Sequence, residues 1–175
     1  MKRLALIGEC MIEMAGGLDG QWKMGIAGDT LNTAWHFRNA TDADDWRVSY
    51  VTALGDDRYS GQISAFIRDA GIETDDIQVI TGKRPGLYLI GQEDGDRFFT
   101  YWRENSAARR MADDISRLAS GFSDADVLYL SGITLAILSP DRRTALIELL
   151  GQLPAKTRIV FDPNIRPALW EDPDT

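Results

Sequence analysis

The chain has 175 residues, of which 44% are hydrophobic and 26% charged, a profile typical of a globular domain with a sizeable core. Its 27 acidic and 19 basic residues give a net charge of -8, which disfavours nucleic acid or an anionic membrane as a partner. Because Cys10 is the only cysteine, no disulfide can form within the chain, and this favours a reducing cytoplasm.

The first segments of the chain predict one buried strand followed by a pair of extended segments. Leu4–Ile7 is a continuous apolar run that ends at Gly8, as in a strand buried on both faces. Residues 11–15 and 22–26 are then separated by glycines, and we interpret them as two extended segments that leave the core early.

A helix is predicted from Gly28-Asp29 to about Asn39, with Asp29 as its N-cap. Its apolar positions are Leu31, Ala34, Trp35 and Phe37. A carboxylate and an amide on its first turn, from Asp29 and Asn32, can bind vicinal hydroxyls. A capped helix with a solvated aspartate and asparagine explains the same residues, so this segment alone does not define a site.

The rest of the chain alternates strands and helices, apart from a hairpin at 86–103. The predicted elements are a strand Val48–Leu54, a helix through Ile63, Phe66 and Ile67 that ends at Gly71, a strand Ile77–Ile80, a helix near Asp113–Ser120, a strand Val127–Leu130, a helix opened by Ser139-Pro140 and a strand Arg158–Phe161.

The hairpin at 86–103 (GLYLIGQEDGDRFFTYWR) is predicted from the turn pair Asp94-Gly95, which favours a two-residue type I′ loop. This turn sets the register, so Tyr88 opposes Tyr101 and Gly86 opposes Arg103. Opposed residues share a face of the ribbon. One face then carries two phenols and a guanidinium with no side chain opposite it, which suits a small hydroxylated anion. A hairpin whose tyrosines only pack remains an equal alternative.

Alternating strands and helices indicate an α/β fold with a parallel sheet covered by helices. The segments at about 9–27 and 86–104 interrupt the alternation, and we interpret them as a small β-sheet lid inserted in the core. Ligands of such sheets bind beyond the carboxyl ends of the strands. The segments that leave those ends are Gly8-Glu9, Gly55-Asp56, Ser131-Gly132 and 162–164.

Two further observations bear on the site. Asp162, Asn164 and Arg166 follow the last strand in a loop stiffened by two prolines, and arginine forms bidentate contacts with carboxylates or phosphates. A surface loop with a structural aspartate is the alternative.

His36 lies mid-helix between aromatic residues and is interpreted as structural. The sequence supports no Ser-His-Asp triad, metal-ligand cluster, Walker loop or dinucleotide fingerprint.

Taken together, these motifs resemble the ribokinase-like sugar kinases, and among them most closely the 2-keto-3-deoxygluconate kinases. The resemblance covers nearly the whole chain. It is carried by residues 8–13 (GECMIE), 28–33 (GDTLNT), 50–55 (YVTALG), 84–88 (RPGLY), 101–103 (YWR), 128–133 (LYLSGI), 135–140 (LAILSP) and 161–166 (FDPNIR).

The resemblance implies transfer of the γ-phosphoryl group of ATP, with Mg²⁺, to a hydroxyl of the sugar acid, and a lid that often pairs two subunits. It implies that Asn164 and Arg166 lie between substrate and nucleotide phosphates. It also implies a substrate site formed by Gly28, Asp29, Thr30, Leu31, Asn32, Tyr88, Tyr101, Trp102, Arg103 and Arg166.

The resemblance also has a gap, because members of this family are longer. Their carboxyl half carries the glycine-rich Gly-Ala-Gly-Asp stretch with the catalytic base and most of the ATP pocket. We therefore expect residues 1–175 to be the amino-terminal part of one kinase domain, with no catalytic residue and no metal ligand of its own, and to be inactive alone. A fructokinase or another ribokinase-like sugar kinase is the first alternative, and a non-catalytic sugar-acid-binding or dimerisation module is the second. The choice of gluconate or galactonate epimer stays open.

Overall fold

A computed structural model of the protein describes residues 1–17, 20–93 and 96–171. Its strands belong to two sheets, and its helices pack against the larger one. The elements in chain order are β1 (Lys2–Ile7), β2 (Met11–Gly16), β3 (Trp22–Ala27), α1 (Asp29–Ala40), β4 (Trp46–Leu54), α2 (Arg58–Asp69), β5 (Ile77–Val79), β6 (Gly86–Glu93), β7 (Asp96–Trp102), α3 (Ile115–Ser120), β8 (Val127–Ser131), α4 (Gly132–Ala136), α5 (Pro140–Gly151) and β9 (Arg158–Asp162), with short 3-10 helices at Ala107–Arg110 and Pro167–Leu169.

The main sheet has the strand order β5-β4-β1-β8-β9, and all its strand pairs are parallel. Side chains of the central strand β1 alternate between the two faces. Leu4 and Leu6 belong to one hydrophobic core, and Ala5 and Ile7 belong to the other. This confirms the predicted strand that is buried on both faces.

Helices cover both faces of this sheet, as predicted. On one face, α1 and α2 contribute Leu31, Ile63 and Ile67 to the core around the buried Tyr50. On the other face, Leu118 of α3 and Leu146 of α5 pack with side chains that include Met111 and Phe122. The fold is therefore an α/β fold whose site, by the rule for open sheets, is sought at the carboxyl ends of the strands.

The lid is a separate sheet of order β3-β2-β6-β7, in which β2 and β6 run parallel and the other neighbours antiparallel. The hairpin register agrees with the prediction, because Tyr88 pairs with Tyr101, Ile90 with Phe99 and Gln92 with Arg97. The predicted turn residues Asp94-Gly95 lie outside the described residues. The chain enters the lid directly after β1, leaves it for the main sheet after β3, and enters it again at β6. It leaves the lid for the last time at Arg103–Ser106, where Ser106 forms an isolated parallel β-bridge with Arg84.

Helix ends follow the predicted chemistry with one correction. Gly71, at φ 74°, follows α2, and Ser139 with Pro140 opens α5. The N-cap of α1 is Gly28 and not Asp29, which is the first helical residue. The Asp29 carboxylate accepts hydrogen bonds from Ser131 and Asn164 of other segments. Trp35, predicted as a core position of α1, is 39% exposed.

The short α4 and the two 3-10 helices were not predicted, because segments of three to five residues are too brief to show a helical period. Within the described residues, no helix combines the length and apolarity that crossing a membrane requires.

Candidate functional site

A cavity of about 210 Å³ lies where the lid faces the carboxyl ends of β1 and β8. Residues of the lid, of the first turn of α1 and of the loop after β9 form its walls. Its lining consists of Glu9, Met11, Gly28, Asp29, Asn32, Tyr88, Phe99, Tyr101, Arg103, Ile133, Asn164 and Arg166.

The lid wall of the cavity is aromatic. The ring centroids of Tyr88 and Tyr101 lie 5.7 Å apart, and those of Phe99 and Tyr101 lie 6.3 Å apart. The Arg103 guanidinium lies 5.8 Å from the centre of the Tyr101 ring. These contacts confirm that the predicted face of the hairpin carries both phenols and the guanidinium.

The Tyr88 hydroxyl is oriented by a neighbouring lid strand, since it donates a hydrogen bond to the Glu13 carboxylate of β2. Burial and this carboxylate both raise the pKa of Tyr88 above its ordinary value. The phenol therefore stays neutral, and its oxygen can accept a hydrogen bond from a ligand hydroxyl.

Arg103 is held by an ion pair that the sequence analysis did not anticipate. Its guanidinium donates to the Glu9 carboxylate, and the two side chains are only 7% and 1% exposed. The residue opposite Arg103 across the hairpin is Gly86, as predicted, and Glu9 reaches the guanidinium from the segment between β1 and β2. Burial raises the pKa of Glu9, and the Arg103 charge opposes that rise.

The floor of the cavity is organised by Asp29. One of its carboxylate oxygens accepts hydrogen bonds from the Ser131 hydroxyl at 2.5 Å and from the Asn164 amide at 2.9 Å. The other accepts from the Thr30 backbone N–H at 2.8 Å. Asp29 thus connects α1 to the loop after β9. In that loop, Asn164 adopts a backbone φ of 34°.

Two glycines permit the close backbone approaches on which this floor depends. A Cβ atom on Gly28 would lie 2.4 Å from the Glu9 carbonyl oxygen, and one on Gly132 would lie 2.0 Å from the Pro163 carbonyl oxygen. Both distances are far inside van der Waals contact. A larger side chain at either position would push apart the segments that form the cavity.

Arg166 differs from Arg103 in its surroundings. It is exposed, its guanidinium donates to the Ile165 carbonyl at 3.2 Å, and it forms no ion pair with any described residue. A guanidinium with spare donors at the rim of a cavity is suited to a carboxylate or a phosphate.

Most of the predicted site residues converge on this cavity. The structure brings together Gly28, Asp29, Asn32, Tyr88, Tyr101, Arg103, Asn164 and Arg166. It does not bring in three others. Thr30 is buried with its hydroxyl 2.8 Å from the Tyr50 hydroxyl, Leu31 lies in the core, and the register places Trp102 on the opposite face of the lid.

Sequence reasoning missed Met11 and Ile133 as lining residues. Ile133 lies in the unpredicted α4, and Met11 begins a strand whose partners were unknown. Gly55-Asp56 follows the carboxyl end of β4, as expected, but does not line the cavity, and the Gly55 N–H donates to the Ser60 hydroxyl of α2. Among residues 1–17, 20–93 and 96–171 no group of His, Cys, Asp and Glu side chains could hold a metal ion.

A larger depression of about 550 Å³ lies at the tip of the lid and is lined in part by Glu13, Ile90, Gln92 and Arg97. The hairpin register places Ile90 and Gln92 on the face that carries Tyr88. The smaller cavity is the better candidate site, because it combines both phenols, two guanidinium groups and the strand ends.

Comparison with curated proteins gives a consistent set of relatives. The chain is 43% identical over 175 residues to a 2-dehydro-3-deoxygluconokinase of Haemophilus influenzae and 41% identical to one of Dickeya dadantii, covering 98% and 97% of this chain and 56% of each relative. A fructokinase of Zea mays is 30% identical over 125 residues, which is 70% of this chain and 38% of the relative. The chain thus spans about half the length of the curated relatives it matches.

Solved structures show the same fold. A 2-dehydro-3-deoxygluconokinase of Thermotoga maritima superimposes with a TM-score of 0.83 at 20% identity, over 97% of this chain and 53% of that one. A fructokinase of Xylella fastidiosa with bound ATP gives 0.81 at 22% identity, over 99% and 52%. The model of the pfkB family of carbohydrate kinases matches residues 1–175. With this match and relatives above 40% identity, the chain belongs to the pfkB family of carbohydrate kinases.

Proposed function

We propose that this chain supplies the substrate-binding and lid part of a kinase that phosphorylates 2-keto-3-deoxygluconate with ATP. One observation carries the proposal: the cavity combines two guanidinium groups with two phenols and the side chains of Asp29 and Asn32. An acid with several hydroxyl groups offers a partner for each of them. The relatives named 2-dehydro-3-deoxygluconokinase at 41–43% identity support the same substrate.

In this proposal Arg103 and Arg166 bind the carboxylate of the sugar acid from two sides of the cavity. The phenols of Tyr88 and Tyr101 and the amide of Asn32 bind its hydroxyls, together with the free lone pairs of Asp29. Gly28 lets the sugar approach the start of α1, where a Cβ atom would collide with the Glu9 carbonyl. Thr30 and Leu31 support this turn from the core, and Trp102 plays no direct part.

The nucleotide is proposed to lie on the side of Asn164 and Arg166. The exposed Arg166 guanidinium fits the phosphate chemistry of ATP, which supplies the phosphoryl group when bound. The described residues offer no ligand cluster for the Mg²⁺ that phosphoryl transfer uses.

A fructokinase is the second candidate, favoured by the 30% identity to the Zea mays enzyme. The buried cation Arg103 argues against it, because a neutral sugar offers no charge to that guanidinium. A non-catalytic module that binds sugar acids is the third, and it differs from the first in lacking phosphoryl transfer.

The deciding experiment is a coupled kinase assay on the complete gene product with 2-keto-3-deoxygluconate, 2-keto-3-deoxygalactonate and fructose. We expect turnover of a sugar acid and little turnover of fructose. Turnover of fructose alone would favour the fructokinase. Binding of the acid without turnover would favour the binding module.

We also infer a homo-oligomer that forms through the lid and a cytoplasmic location. The oligomer is supported by the apolar outer face of the lid, where Trp22, Met24, Phe98 and Trp102 are 42–51% exposed. The location is supported by Cys10, which is free and buried.

A further inference from the structure

Glu9 is a buried carboxylate in the wall of a cavity that we assign to an anion. Its side chain is 1% exposed and faces the guanidinium of Arg103. A carboxylate beside an anion site repels the ligand, and burial strengthens that repulsion. The presence of Glu9 therefore calls for an explanation beyond the stability of the fold.

Stability alone explains the pair poorly. Glu9 Oε1 and Arg103 Nε are buried and have no hydrogen-bond partner. A buried ion pair recovers its desolvation cost only when its remaining donors and acceptors are satisfied. Here one acceptor and one donor are not, so the ion pair recovers its desolvation cost incompletely.

The charges that line the cavity balance. Its charged lining residues are two carboxylates, Glu9 and Asp29, and two guanidinium groups, Arg103 and Arg166. Asp29 is fixed by neutral donors, while Glu9 is in direct contact with a cation. Removing the charge of Glu9 would leave the lining with a net positive charge.

We propose that Glu9 is a specificity-determining residue that positions the Arg103 guanidinium and offsets its charge. The cavity then recognises a single carboxylate through directed hydrogen bonds from Arg103 and Arg166, and not through a net positive field. This keeps the affinity for anions in general low, so that hydroxyl contacts decide which acid is bound. The inference rests on the proposed function, since it assumes that a sugar acid binds beside Arg103.

Glu9→Gln provides the test, because it removes the charge and keeps the shape. Binding of 2-keto-3-deoxygluconate and of its neutral amide to the complete gene product is measured by calorimetry. We expect the ratio of acid to amide affinity to rise about tenfold or more, as a nearby buried charge implies. A merely structural role would lower both affinities together and leave the ratio unchanged.

Three further variants complete the design. Glu9→Met fills a similar volume without charge and should raise the ratio as Glu9→Gln does, which covers the case where one of them fails to fold. Glu9→Asp keeps the charge and should keep the ratio. Glu73→Gln breaks the Arg47–Glu73 ion pair at the other end of the sheet and is the matched control.

The outcomes separate this inference from the proposed function. If the unaltered protein does not bind the acid, the proposed function fails. If it binds the acid and neither Glu9→Gln nor Glu9→Met raises the ratio, only the role of Glu9 is overturned. A rise of similar size in Glu73→Gln would also overturn it, because the effect would then not be local.

Discussion

Arg103 combines burial with a contact to the cavity, and this makes it the most informative residue of the site. Its guanidinium donates a hydrogen bond to the Glu9 carboxylate and lies over the Tyr101 ring. Guanidinium groups have five N–H donors, so the ion pair leaves donors for a ligand. We expect a cation in this position to discriminate between charged and neutral sugars.

Arg103→Ala should therefore weaken binding of the sugar acid far more than binding of its neutral amide. A charge-assisted hydrogen bond contributes roughly 1.5–3 kcal/mol, or about tenfold to over a hundredfold in affinity. Calorimetry on the complete gene product measures both ligands. Arg97→Ala is the control, since Arg97 lies on the same lid face beyond the cavity. Equal losses for acid and amide would contradict the assignment.

Gly132 is a residue at which backbone packing leaves little room for a side chain. Gly132→Ala should reduce the free energy of unfolding by about 1–3 kcal/mol, because its Cβ would lie 2.0 Å from the Pro163 carbonyl oxygen. Gly61→Ala is the matched control. It lies within α2 with no atom near its added Cβ, and should stabilise by about 0.5–1 kcal/mol. Urea unfolding measures both, and equal effects would show that the approach to Pro163 does not matter.

At the residue scale the sequence predicted the lid wall well, because a turn pair and a period of two determine which side chains share a face. It did not predict the Glu9–Arg103 pair. Those residues are 94 positions apart, and no local pattern reports such a contact. The available signal was the position of Glu9 directly after a buried strand.

At the scale of the elements, α1 shows why local rules misassigned a cap. Asp29 has the chemistry of an N-cap, but its carboxylate binds Ser131 and Asn164, which lie more than 100 residues away. The N-cap position of α1 is accordingly Gly28, and Asp29 is the first helical residue. Trp35 has the spacing of a core residue, yet its side of α1 faces solvent in the described structure.

Helix α2 has the conventional cap that α1 lacks. The Asp57 carboxylate accepts hydrogen bonds from the Tyr59 and Ser60 N–H groups and from the Ser60 hydroxyl. Burial alone would raise the pKa of Asp57, but these hydrogen bonds outweigh it and lower the pKa. A lowered folded-state pKa stabilises the protein above the pKa of the unfolded state and ceases to do so as pH falls.

Asp57→Ala should accordingly cost about 1 kcal/mol of unfolding free energy at pH 7. The difference from the unaltered protein should shrink as pH falls below about 4, where the carboxyl becomes protonated. Urea unfolding at several pH values provides the measurement. A pH-independent difference would mean that the cap acts through packing and not through its charge.

The proposed oligomer forms through the outer face of the lid, where the large apolar side chains of Trp22, Met24, Phe98 and Trp102 are exposed. Trp102→Glu should convert an oligomer of the complete gene product into smaller species, because a buried unpaired carboxylate in an apolar interface is costly. Light scattering after size exclusion measures the mass. Val79→Glu places the same charge on an exposed apolar residue of β5 and should leave the mass unchanged. A monomeric unaltered protein would refute the proposal.

At the scale of the whole molecule, a hydrophobic core on each face of the main sheet follows from the alternation of strands and helices. That alternation can be read directly from the apolar periodicity of the sequence. The order of the strands cannot, since it depends on pairings between distant segments. The strand β9 lies at one edge of the sheet, and its apolar residues Ile159, Val160 and Phe161 are 39–49% exposed.

We expect a polypeptide of residues 1–175 alone to self-associate through β9, because an exposed apolar edge invites pairing with another chain. Val160→Lys should reduce that association, as measured by light scattering. Kinase assays on the same polypeptide test the expectation that it is inactive by itself. Measurable phosphorylation of 2-keto-3-deoxygluconate would contradict it.

The central place of β1 also has a consequence for how the molecule is made. Its backbone pairs with β8, and just before β8 the Asp126 N–H donates to the carbonyl oxygen of Arg3, 123 residues earlier. At roughly 5–20 residues per second, a ribosome takes about 6–25 s to make that partner. Throughout that time one edge of the buried strand β1 lacks its partner. The first strand to leave the ribosome thus waits for a partner from the second half of the chain, and we expect the yield of folded protein to depend on the rate of translation.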